Sequence, residues 1–258
     1  MLKVENISAS YNKEPIIENI SFDLNSGRLL GLLGLNGVGK TTLLKVIGGL
    51  LKPIEGKVLI GDKDILLYKS KERARYVSYM PQRNSIIYNT LVLDVVLMGI
   101  TPYLNIFSYP TDDHKKKAYD ALKMVNMEKY YSNNFLHLSE GEKQLILIAR
   151  SLLQNSQLML FDEPDSSLDF NNKHMILSKI KEIIKEHNKT GIISLHDPNM
   201  ALEYCDNIII LKDGKLHTYF NTGEIDKDYI SKAFSDIYGD IEVVEYNNRY
   251  FILRQISD

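Results

Sequence analysis

The segment from Gly34 to Thr42 carries the most specific chemistry in the chain. Gly34, Leu35, Asn36, Gly37, Val38, Gly39, Lys40, Thr41 and Thr42 fit the pattern G-x-x-x-x-G-K-[ST]. In that pattern glycines let the backbone turn until successive N–H groups face a polyphosphate at the start of a helix, where the dipole favours negative charge. Lys40 is then expected on the β- and γ-phosphates and Thr41 on a magnesium ion. A second cluster follows the apolar run Leu158-Met-Leu-Phe161, which ends in Asp162 and Glu163. Burying two carboxylates without a partner is costly, and magnesium supplies one. Asp162 is expected to hold the metal together with Thr41, and Glu163 to orient and deprotonate a water for in-line attack on the γ-phosphate.

Such residues need elements to aim them. Leu29 to Leu33 before the glycine-rich loop and Leu43-Leu-Lys-Val-Ile47 after it read as strand and helix. Apolar strands are also expected at Tyr76 to Met80, Gly191 to Leu195 and Asn207 to Leu211, the last ending in the turn Asp213-Gly214. Their alternation with helical segments predicts a mainly parallel sheet with helices on both faces, whose ligands sit at the carboxyl ends of the strands. Gly34, Gln82, Asp162 and His196 each stand just beyond such a strand, so one crevice can gather them. The opening runs Leu2 to Ile7 and Ile20 to Leu24, parted by the Tyr11 to Pro15 turn, suggest antiparallel strands, with Lys57 to Ile60 in the same small sheet.

From about Ser85 to Gln154 the periodicity turns helical, broken by the proline-bearing loop Thr101 to Thr111, which reads as an inserted helical lobe. Asn171 to His187 is amphipathic, with Met175, Ile176, Ile180, Ile183 and Ile184 on one side. The tail, about Gly214 to Asp258, is expected to form an extension with a short helix near Ile230 to Ile237 and a hairpin turning at Asn247-Asn248. No internal repeat or low-complexity linker divides the 258 residues, so they read as a single domain.

Bulk properties narrow the setting. With 44% hydrophobic and 25% charged residues the chain is an ordinary globular one. A formal net charge of −2 and no long basic block give no electrostatic footprint for nucleic acid. The clusters Lys115 to Lys117 and Lys69 to Arg75 read as solvated helix faces. Apolar stretches such as Leu91 to Ile100 fall short of the roughly 20 residues a spanning helix needs. The start lacks the order of a secretory signal and Cys205 is the sole cysteine, so a cytoplasmic address is expected. The histidines and Cys205 have no metal-ligand spacing.

Taken in order, these motifs resemble those of the ATP-binding cassette (ABC) subunits of transporters over nearly the whole length. The resemblance implies an α/β fold: a P-loop NTPase (RecA-like) core, an inserted α-helical subdomain over about 85–154 and an N-terminal antiparallel β subdomain. It further implies ATP and Mg2+ as ligands. Tyr11 resembles the aromatic that stacks on adenine, Gln82 the glutamine that touches magnesium and senses the membrane partner, and His196 the switch histidine at the γ-phosphate. Ser166-Ser-Leu-Asp169 resembles the loop that crosses the dimer interface, although Asp169 also suits a helix cap.

Leu138-Ser-Glu-Gly-Glu142 stands where the family has L-S-G-G-Q, the signature that contacts the nucleotide of the opposite subunit. Ser139 and Glu142 have capping-box spacing, and Gly141 keeps the family residue. Glu140 replaces a glycine and adds a carboxylate near a phosphate, from which weakened hydrolysis is expected. One cradle and one signature per chain imply a head-to-tail dimer, expected to be of identical copies. The resemblance also implies separate integral-membrane permease subunits, a location on the inner face of the cell membrane through them, and indirectly an extracellular or periplasmic substrate-binding protein. Lys71-Glu-Arg-Ala-Arg75, Asp94 to Gly99, Thr101 to Asn105, Gln144 to Arg150 and His196 to Asn199 resemble importers of ferric siderophores, haem and cobalamin. A molybdate or tungstate importer, a slow or inactive subunit and a soluble mechanical ATPase are the alternatives.

Overall fold

A computed structural model describes residues 1–12, 14–82, 86, 88–105 and 107–255. Strands β1 (Leu2–Ala9) and β2 (Ile17–Leu24) pair antiparallel, and β3 (Leu29–Leu33) then runs into the glycine-rich loop and helix α1 (Lys40–Ile47). Strand β4 (Glu55–Ile60) returns to pair with β1 and with the short β5 (Lys63–Asp64), giving a four-stranded antiparallel sheet. A single turn, α2 (Ser70–Arg73), leads to β6 (Val77–Met80).

The helical lobe comprises α3 (Val92–Leu97), α4 (Asp112–Met124) and α5 (Glu140–Gln154). Its expected start at Ser85 lies outside the described residues. The chain re-enters the core with β7 (Leu158–Asp162), α6 (Phe170–Glu186), β8 (Thr190–Ser194), α7 (Pro198–Tyr204), β9 (Asn207–Lys212) and β10 (Lys215–Asn221). Helix α8 (Lys227–Tyr238) and the hairpin of β11 (Ile241–Tyr246) and β12 (Arg249–Arg254) complete it. The hairpin turns at Asn247 and Asn248, both in the left-handed region that asparagine tolerates.

The main sheet has the order β10-β9-β3-β8-β7-β6, parallel throughout except for β10. Every residue of β3, β7 and β8 is buried, as central parallel strands covered on both faces require. Their side chains divide by alternation. Leu30, Leu32, Leu158, Leu160, Ile192 and Ile209 pack toward α1 and the antiparallel sheet. Leu29, Leu33, Met159, Phe161, Ile193 and Ile208 pack toward the helical lobe, α6, α7 and α8. Because β3, β6, β7 and β8 run in one direction, the loops after them emerge along one edge.

Three expectations need correction. The tail from Gly214 is not wholly an extension, because β10 forms the edge strand of the main sheet; the additional part begins after Asn221. Met175 is 41% exposed, and Leu177 takes its place on the apolar face of α6, since a helical face follows i, i+3, i+4 spacing. The Lys69 to Arg75 cluster is not simply a solvated face. Arg75 lies over the Tyr103 ring at 5.5 Å and donates to the Pro102 carbonyl at 3.2 Å, while Lys71 donates to the Leu104 carbonyl, tying the core to the helical lobe.

Candidate active site

The glycine-rich loop is shaped by what surrounds it. Gly34 has φ 140°, and a Cβ there would stand 2.6 Å from the Leu211 carbonyl oxygen. Gly39 begins α1 at φ 109°, and its Cβ would meet Ile17 at 2.5 Å. Glycine alone fits both positions. No side chain caps α1 and its first turn holds no acidic residue, so the positive end of the helix faces the loop without a competing anion. Lys40 folds back across this loop, its Nζ donating to the carbonyls of Gly34 at 2.8 Å and Leu35 at 3.3 Å. Burial pulls its ammonium below the ordinary lysine range, while Glu163 and Asp162 work against that fall.

Thr41 lies one residue further on, and its hydroxyl donates to Asp162 Oδ1 at 3.0 Å. Asp162, buried at the end of β7, is held by two further hydroxyls: Ser194 donates to Oδ1 at 2.8 Å and Tyr79 to Oδ2 at 2.9 Å. Burial, then the carboxylate beside it, pushes the Tyr79 hydroxyl up, which keeps it a donor. Ser194 also accepts from the Glu163 backbone N–H at 2.9 Å. One serine thereby fixes both acidic residues.

Glu163 takes φ 48°, a left-handed conformation uncommon for such a residue, which turns its side chain away from that of Asp162. His196 Nε2 lies 2.7 Å from Glu163 Oε1, and the Gln82 amide donates to Oε2. Gln82, Glu163 and His196 therefore arrive from three separated segments and meet in one contact. Asp165, two residues on, is buried with its Oδ1 unpartnered among the described residues, and burial raises its carboxyl above the usual range. Tyr11 is half exposed beside the loop, with Lys45 Nζ 5.8 Å from its ring centroid.

The signature segment stands apart. Ser139 caps α5 and closes a capping box with Glu142: its backbone N–H and hydroxyl each lie 2.9 Å from Glu142 Oε2. The Tyr130 hydroxyl and the Ser139 backbone hold Glu142 below the ordinary carboxylate range. Glu140 pairs with Lys143 at 2.7 Å, and Gly141 packs on Asn172 of α6. Asp169 caps α6, accepting from the Asn172 backbone at 2.9 Å. Among the described residues no hydrogen bond or ion pair joins Ser139, Glu140, Gly141, Glu142 or Asp169 to the crevice around Asp162.

Sequence reasoning missed Tyr79, Ser194 and Asp165. Tyr79 and Ser194 are polar residues near the carboxyl ends of apolar strands, which is a visible signal, but their value depends on β6 and β8 flanking β7.

The oxygen donors of Thr41 and Asp162, 3.0 Å apart, suit a hard cation such as Mg2+, which binds through one or two protein oxygens with phosphates and waters filling its shell. Among the described residues no group of three or more His, Cys, Asp or Glu is placed to hold a metal by itself.

The family profile described as ABC transporter matches residues 17–166. A Helicobacter pylori protein described as a probable iron chelatin transport ATP-binding protein is 38% identical over 223 residues, 86% of this chain and 88% of its own length. A Haemophilus influenzae molybdate import ATP-binding protein is 35% identical over 211 residues, covering 81% and 78%. A solved ABC transporter described as metal-chelate type, in an inward-facing conformation, superposes with TM-score 0.82 at 30% identity over 97% of this chain and 95% of that one. The chain belongs to the ABC transporter family, as one of its ATP-binding, ATP-hydrolysing subunits.

Proposed function

We propose that this chain powers an importer of a metal chelate, such as a ferric siderophore, haem or cobalamin, by hydrolysing ATP on the inner face of the cell membrane. The observation that carries the catalytic part is the contact of Glu163 with His196 and Gln82 beside the buried Asp162. Lys40 and the N–H groups of residues 36–42 would take the β- and γ-phosphates, with adenine on Tyr11. Thr41 and Asp162 would hold Mg2+, with Gln82 at its edge; the ion, when bound, neutralises and orients phosphate oxygens. Glu163 serves as the base for the attacking water. Both of its oxygens are engaged within the chain, so one contact must open to admit that water. Ser194 and Tyr79 hold the Asp162 carboxylate in place, one on each oxygen. His196, in contact with the Glu163 carboxylate, would report the γ-phosphate to it.

The capped N-terminus of α5 presents Ser139 and Gly141 to a second copy, across whose interface Asp169 and its loop would also reach. The permease would dock between the core and the helical lobe. A groove of about 570 Å3 lies there, lined by Ser70, Lys71, Ala74, Pro102 and Leu104, beside the exposed Phe107 and Tyr109. No described helix is long and apolar enough to cross a membrane. The metal-chelate cargo is supported by the relatives of that description. The molybdate relative supports the alternative.

The test is gentle detergent extraction of membranes carrying a tagged copy, followed by mass spectrometry of co-purifying chains. Recovery of a polytopic membrane protein supports the importer reading and supplies the subunit in which cargo can be assayed. A reproducible soluble partner without any membrane protein would overturn it.

A further inference from the structure

Resting on the reading that the start of α5 serves a second subunit, we propose that Lys143 is a positioning residue that neutralises Glu140 within its own chain. The acidic departure from the signature then does not repel the partner's nucleotide. Around the first turns of α5 the side chains separate by direction. Ser139 and Glu142 close on each other, and Gly141 packs on α6, where a Cβ would stand 3.1 Å from the Asn172 amide. Glu140, Lys143 and Gln144, related by i, i+3 and i+4, line a cavity of about 530 Å3 with Gln82, Ser166 and Ser167. The extra carboxylate is thus turned into the cleft between the helical lobe and the core.

Lys143 Nζ meets it at 2.7 Å, and the lysine side chain is only 18% exposed while that of Glu140 is 54% exposed. A cation so near a helix N-terminus is opposed by the dipole, so the placement of Lys143 is accounted for by its carboxylate partner. Ion pairs this exposed contribute little to folding. The consequence of losing the lysine is therefore electrostatic: an unneutralised charge close to the place where the opposite subunit's phosphate would sit, felt more strongly at low salt.

The test is steady-state ATP hydrolysis by the purified chain in Mg-ATP at low and high salt. It compares wild type with Lys143→Ala, Lys143→Arg, Glu140→Gly, the double variant Lys143→Ala/Glu140→Gly, and Ser139→Arg. The expected result is a KM for ATP raised about three- to tenfold in Lys143→Ala at low salt, a gap that narrows at high salt. Lys143→Arg restores the wild-type KM, and the double variant matches Glu140→Gly, with melting temperatures unchanged. Coupling in this cycle separates neutralisation from a merely structural role. A wild-type KM in Lys143→Ala at low salt, or a double variant as impaired as Lys143→Ala, overturns the proposal. If Ser139→Arg hydrolyses ATP like wild type, the signature reading fails instead.

Discussion

The crevice at the end of the main sheet and the start of α5 treat their polar groups in opposite ways. In the crevice, groups from α1, from β6, β7 and β8 and from the loops after those strands are bound to each other: Asp162 has three hydroxyl donors and Glu163 two side-chain partners, all within one chain. At α5 the polar groups are satisfied by residues three positions away, Ser139 with Glu142 and Glu140 with Lys143. The first arrangement fits the proposed cradle for phosphate and metal. The second is a helix end whose first-turn polar groups pair locally, which suits a surface offered to another molecule. The contrast fits the proposed division of the chemistry, half inside the chain and half across an interface.

The largest effect that would sharpen this contrast is at Glu163. Glu163→Gln keeps the hydrogen-bonding shape but removes the proton acceptor, and turnover should fall by about 100-fold or more while ATP binding persists, as measured by nucleotide retention. Residual turnover near wild type would move the base elsewhere. Next comes Ser194→Ala, which withdraws one donor from Asp162 and the acceptor for the Glu163 N–H; a roughly tenfold loss of turnover is expected. At α5, Glu140→Gly should change the KM for ATP by less than Lys143→Ala raises it, because the carboxylate is already paired.

The smallest effect concerns Asp165. Burial raises its carboxyl in the folded chain above the unfolded value of about 3.9. Its contribution to stability is therefore complete below that value and is lost as pH rises through the folded one. Asp165→Asn should melt above wild type at pH 7 to 8, and the gap should close toward pH 4. Equal melting temperatures throughout would show that the buried carboxyl finds a partner on ionising.

The crevice was more legible in the sequence than the interactions that stabilise it. Gly34 to Thr42 and Asp162-Glu163 reveal themselves because phosphate and metal chemistry demands those residue types at fixed local spacing. Ser194 and Tyr79 are ordinary residues whose role comes from strand order, which no local pattern encodes. Lys143 was readable as a helix residue, but its pairing with Glu140 depends on rotamers rather than on spacing alone. The edge strand β10 was assigned to the tail for a similar reason: its exposed, mixed composition hides which sheet it joins. Met175 misled because it is apolar and adjoins Ile176, whereas i, i+3, i+4 spacing puts Leu177 with Ile180 and Ile184 on the buried face.

The most direct test is light scattering of the purified Glu163→Gln chain with and without Mg-ATP. The division of the site between two copies predicts a mass near 29.6 kDa without nucleotide and about twice that with it, and no such shift when Ser139→Arg is added to the same background. A Glu163→Gln chain that stays monomeric in saturating Mg-ATP, or a Ser139→Arg variant that dimerises equally well, would contradict it.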